Sequence, residues 1–201
     1  MNSNIHQINN DEKEEKKQEA PEAVNEKFLK TRQILLSGEI NKVLAEKVIQ
    51  QLLMMEAEND KPIYVFIDSP GGDADAGYAI LDMMRFVKAP VYTIGMGLVA
   101  SAGALILLAS PKKYRLGLPN SHYLIHQPSS GMKGVATDIQ IHAQEIEKMR
   151  TKINKLISEQ TGKKVEDVAQ DTERDYWLTA EESISYGLID RIITSRDDLN
   201  K

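Results

Sequence analysis

Ser101 follows the strand-and-glycine segment IGMGLVA and opens an apolar stretch of helical composition. Helix-terminal N–H groups at such a position favour negative charge developing on an attacking oxygen. A serine hydroxyl is inert by itself. Nucleophilic catalysis needs a base to take its proton and an acid to hold that base in the right tautomer. The surrounding V-A-S-A-G departs from the G-x-S-x-G elbow, and a serine before a helix also serves as an ordinary N-cap. Ser101 therefore stands or falls with its partners.

Four histidines are available to it. His6 falls in a charged N-terminal stretch, and His142 sits mid-helix one turn after Asp138, where a surface pair is the plain expectation. His122 and His126 lie four apart in a strand-like stretch; period-two alternation puts both on one face and leaves the choice between them open. The acid can come from Asp171, Glu173 or Asp175, all in QDTERDYW. Ser69-Pro70-Gly71-Gly72 lets the backbone turn sharply and present an N–H to a substrate oxyanion, and a plain turn accounts for the same residues equally well.

These side chains need a frame. From Phe28 onward, apolar runs of strand length alternate with helical stretches, the mark of stacked strand-helix units in an α/β fold. Strands are expected over 33–36, 63–67, 91–94, 123–125 and 188–193. Asn41 caps a helix in which Leu44, Val48, Leu52 and Met55 recur at helical spacing until about Asn59. A second helix over 74–86 has Tyr78, Leu81, Met84 and Phe86 suited to partial burial, and 101–108 is apolar nearly all round, so as a helix it belongs in the core.

A long amphipathic helix is expected over 137–160, with Ile139, Ile146, Met149, Ile153 and Ile157 on one face and Gly162 just beyond its end. It would be about 36 Å long. That exceeds what a domain of this size needs for its own core, so part of the apolar face is free to meet another subunit. Thr179 and Glu182 form a capping box for a last short helix ending at Gly187.

With 201 residues, 41% of them hydrophobic and 27% charged, the chain has the make-up of one soluble domain, over 28–194, with a flexible charged arm over 1–27 and a polar tail over 195–201. The net charge of -5 and the scattered lysines and arginines argue against a nucleic-acid partner. The absence of cysteine excludes disulfides, a Cys-ligated zinc and a cysteine nucleophile. The most apolar stretch, 98–109, is shorter than a bilayer span, and no signal-peptide pattern opens the chain, so a cytoplasmic location without membrane contact is the default. The sequence suggests no metal or organic cofactor site.

From about Phe28 to Ile193 the sequence resembles the Clp peptidase family, through IYVFIDSPGGDADAG, IGMGLVASAGA, LPNSHYLIHQPSSG, GVATDIQIHAQEI and DTERDYWLTAEESISYGLID in that order. The resemblance implies Ser101 as nucleophile, His126 of IHQP as base and Asp175 of DTERD as acid, with the backbone N–H groups of Gly72 and Ala102 as the oxyanion hole. It implies a crotonase-like fold whose head carries a handle made of the 137–160 helix and a strand over 127–135. Two stacked heptameric rings, possible with a paralogous subunit, would enclose the sites, with Glu173 and Arg174 at the ring-ring contact. An AAA+ unfoldase would dock at Tyr64, Phe66 and Phe86 and feed in unfolded chains, consuming the ATP itself.

The chain departs from the family pattern at Ala102, where methionine is usual, at Ser129-Ser130-Gly131, which replaces Leu-Gly-Gly, and in its charged N-terminal arm. Two other functions fit parts of the pattern. A crotonase-type enzyme acting on acyl-coenzyme A would use backbone oxyanion donors without a triad, and a non-catalytic or partner-activated subunit would shape a mixed ring.

Overall fold

Alternation along IYVFIDS decides which way the sheet faces: Ile63, Val65, Ile67 and Ser69 are buried, while Tyr64, Phe66 and Asp68 between them are half-buried on the other face. The computed structural model describes residues 27–200, and the arm expected over 1–27 lies outside them apart from Lys27. The chain divides into two units, Met1–Gln33 and Ile34–Lys201. Of the first, residues 27–33 are described, and 27–29 are helical.

From Gln33 onward the strands are β1 (Gln33–Ser37), β2 (Ile63–Ser69), β3 (Val91–Ala100), β4 (Arg115–Gly117), β5 (His122–Ile125), β6 (Tyr176–Thr179) and β7 (Arg191–Ile192). The helices are α1 (Lys42–Glu58), α2 (Ala74–Phe86), α3 (Ala102–Leu107), α4 (Ala136–Thr161), α5 (Val165–Asp171) and α6 (Ala180–Tyr186). The sheet runs β1-β2-β3-β4-β7, with β5 also pairing β3 and β6 pairing β5. β3 is parallel to β2, β4 and β5, and only β6 against β5 is antiparallel among the ladders that bear on the site.

The expected 91–94 strand extends to Ala100 because β3 serves two neighbours in turn. Thr93 to Gly95 pair with β4, and Leu98 to Ala100 pair with β5. Between the two halves the ladder to β2 slips, from Ile67 opposite Gly95 to Ser69 opposite Val99. Asp68 fills the slip, its Oδ1 accepting the Leu98 N–H at 3.0 Å. Gly97 lies beside it at φ +54, where a Cβ would stand 2.7 Å from that same oxygen and push the Asp68 carboxylate off the Leu98 N–H. An acid in an otherwise apolar strand was the available sequence signal for this irregularity.

Helix signals hold well. The Asn41 side chain accepts the Leu44 N–H at 2.9 Å, and Thr179 and Glu182 exchange both bonds of a capping box. α4 ends at Gly162 with φ +79, as the left-handed C-cap requires. With 26 residues it is about 39 Å long. Its C-terminal half is buried through Ile153, Asn154, Leu156 and Ile157, whereas Ile139 and Ile141 in the other half are exposed. Arg115 anchors the buried end, donating from Nη2 to the Gln160 carbonyl at 2.8 Å. Burial pulls its guanidinium down to about 10 against the opposing pull of Asp190, so it remains charged at neutral pH.

Three expectations change. The strand expected over 127–135 does not form: among the described residues it pairs with no strand, and past the Gln127 N–H bond to the Thr172 carbonyl no ladder continues. The closing strand over 188–193 shrinks to β7, although Leu188, Ile189 and Ile193 are buried. Phe86, at the end of α2, is 76% exposed rather than partly buried. Within the stretch expected as a polar tail over 195–201, residues 196–200 form a 3-10 turn from which Leu199 packs against Ile94, Leu116 and Ile193.

Candidate active site

Ser101 stands at the junction of β3 and α3. Its N–H donates to the Leu124 carbonyl at 2.9 Å, carrying the β3-β5 ladder one residue further. Its backbone then turns at φ +55 and ψ -120, a conformation that costs a non-glycine residue about 1–3 kcal/mol. The hydroxyl makes no N-cap bond to α3. The ordinary capping role is therefore vacant, and the side chain lines a cavity shared with His126.

Strand register separates the two histidines. β5 and β6 pair antiparallel with His122 opposite Thr179, Tyr123 opposite Leu178, Leu124 opposite Trp177 and Ile125 opposite Tyr176. The next pair in that register is His126 and Asp175, and His126 Nδ1 lies 3.3 Å from Asp175 Oδ1. His122 is exposed at the far end of the strand. The other two acids are engaged elsewhere: Asp171 accepts the Tyr186 hydroxyl at 2.8 Å, and Glu173 pairs with Arg150. His126 Nε2 is enclosed without a hydrogen-bond partner. The bond between Ser101 and His126 is thus open in this conformation, a common state of catalytic pairs without substrate.

The SPGG turn supplies more than a bend. Ser69 Oγ donates to the Gly38 carbonyl at 2.7 Å and accepts the Gly71 N–H at 3.1 Å. Ile40 donates to the Gly71 carbonyl at 2.8 Å and accepts the Asp73 N–H at 2.8 Å. These bonds hold the turn and leave the Gly72 N–H without an acceptor among the described residues. The Ala102 N–H, first in α3, is likewise unbonded there. Both residues line the cavity with Ser101.

The cavity has a volume of about 520 Å³ and follows one face of α4. Leu105, Ile125, Ile153 and Ile157 make one part apolar, and His142 and Glu145 make another polar. His142 corrects the sequence expectation. No pair to Asp138 forms among the described residues; Nε2 instead lies 2.9 Å from Ser130 Oγ, because this face of α4 looks onto the segment after His126. Arg150, Gln127 and Asn154 are further residues that sequence reasoning missed, since their partners lie 18 to 46 positions away.

Away from the cavity, Tyr64 and Phe66 pack against the Ile94, Leu116, Ile193 and Leu199 cluster, with the Tyr64 and Tyr92 rings 5.2 Å apart. Arg174 is exposed and has no hydrogen bond or ion pair among the described residues. No group of three or more histidines and acids among the described residues is placed to hold a metal ion. No helix among them is long and apolar enough to cross a membrane.

A family model described as Clp protease matches residues 15–196. The ATP-dependent Clp protease proteolytic subunit 2 of Treponema denticola is 64% identical over 193 residues, which is 94% of this chain and 96% of that protein. Subunit 3 of Rhizobium meliloti is 50% identical over 93% of this chain and 97% of that protein. A solved structure of a ClpP1 mutant from Listeria monocytogenes superimposes with a TM-score of 0.83 at 45% identity, covering 88% of this chain and 99% of that one. The mixed sheet with its near-continuous parallel ladders and the long α4 are that structure's fold, and the chain belongs to the Clp protease family as a proteolytic subunit.

Proposed function

We propose that the chain is a serine endopeptidase in which Ser101 is the nucleophile, His126 the base and Asp175 the acid, with Gly72 and Ala102 as oxyanion donors. The observation that carries this reading is the register of β5 and β6, which sets Asp175 3.3 Å from His126 at the wall of the cavity that Ser101 lines. The reaction requires the Ser101 hydroxyl and His126 Nε2 to come within hydrogen-bond reach of each other. Asp175 then holds the proton on Nδ1, and Nε2 takes the hydroxyl proton as Oγ attacks the peptide carbonyl carbon. The carbonyl electrons move onto oxygen, where the Gly72 and Ala102 N–H groups stabilise them. Collapse expels the amine, which takes the proton from Nε2, and a water molecule activated by the same base hydrolyses the acyl-serine.

This chemistry asks for no metal or organic cofactor. Incubation of the purified protein with a serine-directed fluorophosphonate is expected to label Ser101 alone and to stop cleavage of a short fluorogenic peptide. Unlabelled protein that still cleaves the peptide would overturn the assignment. Binding of coenzyme A in place of labelling would support the crotonase alternative.

The named relatives are subunits of ATP-dependent proteases. By that likeness we assign this chain to stacked cytoplasmic rings fed with unfolded protein by an AAA+ ATPase, with Glu173 and Arg174 near the contact between rings. Tyr64 and Phe66, on the half-buried face of β2, and the exposed Phe86 are the proposed docking residues. Replacing Tyr64 and Phe66 together with serine is expected to abolish ATP-dependent protein degradation in the presence of the ATPase while short-peptide cleavage stays within about twofold. Parallel loss of both activities would remove the docking assignment.

A further inference from the structure

Asp175 is exposed on its strand end, its side chain 62% accessible, and His126 is its one polar side-chain contact among the described residues. A carboxylate held so lightly needs its backbone fixed by something else. Two positions earlier, Glu173 is gripped from α4: Arg150 Nη2 meets Glu173 Oε2 at 2.5 Å, while Arg150 Nη1 lies 3.7 Å from Glu147 Oε2. The Glu173 carbonyl accepts the Gln127 side-chain amide at 2.6 Å, and the Gln127 N–H donates to the Thr172 carbonyl at 2.6 Å. Gln127 follows His126 directly. Thr172 is in turn buried, its hydroxyl bonded to Asn154 Oδ1 of α4 at 2.8 Å. The residue next to the base and the residues just before the acid are thus joined in one brace.

We propose that Arg150 is a positioning residue for the His126-Asp175 pair. It acts through Glu173, drawing the 172–175 segment against α4 so that β6 enters its ladder with Asp175 facing His126. The inference rests on the serine-peptidase reading of the site. The Arg150 side chain is 26% accessible and Glu173 is 56% accessible, and an ion pair this open adds little to global stability. Geometry is where its loss should register, because displacement of a catalytic group by about 1 Å is enough to cost about a hundredfold in rate. Since α4 also lines the cavity, the same helix both receives substrate and braces the acid.

The test is Arg150→Ala, assayed on a short fluorogenic peptide in the full assembled protein, with sedimentation velocity and a thermal melt run alongside. The expected result is a kcat lowered by about tenfold or more with KM within about twofold, at unchanged assembly and melting temperature. Arg150→Lys should recover part of the kcat, since it restores the charge without the two-pronged geometry. Glu173→Gln should lower kcat similarly, and the double variant should be no worse than either single one. Wild-type kcat in Arg150→Ala, additive losses in the double variant, or a loss that follows dissociation of the rings would each overturn the brace. Those outcomes leave the serine assignment intact, whereas activity surviving Ser101→Ala would overturn that assignment and the brace with it.

Discussion

Ser101→Ala is expected to fold, assemble and lose peptide hydrolysis to background, a fall of about a thousandfold or more. Alanine meets no new conflict at this position: the φ of +55 burdens serine and alanine alike, and no capping bond is lost because none is made. What disappears is the only hydroxyl on the strained turn that faces the cavity. His126→Ala should fall to a comparable level, since the proton then has nowhere to go. His122→Ala should stay within about twofold of wild type, because its strand position opposite Thr179 puts it four residues from the acid. Steady-state hydrolysis of one fluorogenic peptide by the three variants, each checked for assembly by sedimentation, decides the matter. Substantial activity in Ser101→Ala, or equal losses at the two histidines, would show that register has been misread as chemistry.

That contrast marks where sequence reasoning ran out and why. Period-two alternation is blind to which end of a strand meets a partner, so His122 and His126 look alike until the β5-β6 register is known. The same register sets Asp175 beside His126, while the carboxylates of Asp171 and Glu173 find Tyr186 and Arg150 instead. Local signals fared better because their partners are close by. The Asn41 cap, the Thr179-Glu182 box and the Gly162 stop each depend on residues within about one turn, and each appears at the expected position. The strand expected over 127–135 failed for the opposite reason: a strand is defined by its neighbour, and the described residues pair no strand with it. His142 belongs with the long-range cases, its Ser130 partner lying across the groove rather than along its own helix.

Gly71→Ala is expected to impair catalysis without removing any group that takes part in it. The glycine sits at φ +95, and a Cβ there would stand 2.6 Å from Ser101 Cβ, 2.9 Å from the Ala100 carbonyl oxygen and 3.1 Å from the Ala102 nitrogen. Two of those three atoms are backbone, so no side chain can swing away to make room. The turn must lift away from the β3-α3 junction, and as it does Gly72 and Ala102 lose their common aim. One misdirected oxyanion donor costs about 3 kcal/mol of transition-state stabilisation, and a displaced nucleophile adds to that, so hydrolysis should drop by about a hundredfold or more. Stability should fall as well, by about 1–3 kcal/mol for the forced backbone. Gly162→Ala separates the two effects. It carries the same kind of strain, at φ +79, but an added Cβ there has nothing within 4 Å. It should therefore lose about 1 kcal/mol of stability and keep its activity. The rate of fluorophosphonate labelling at Ser101, measured beside the thermal midpoint of each variant, isolates the geometric loss: near-normal labelling in Gly71→Ala would mean that the SPGG turn is a scaffold alone and that the oxyanion hole lies elsewhere.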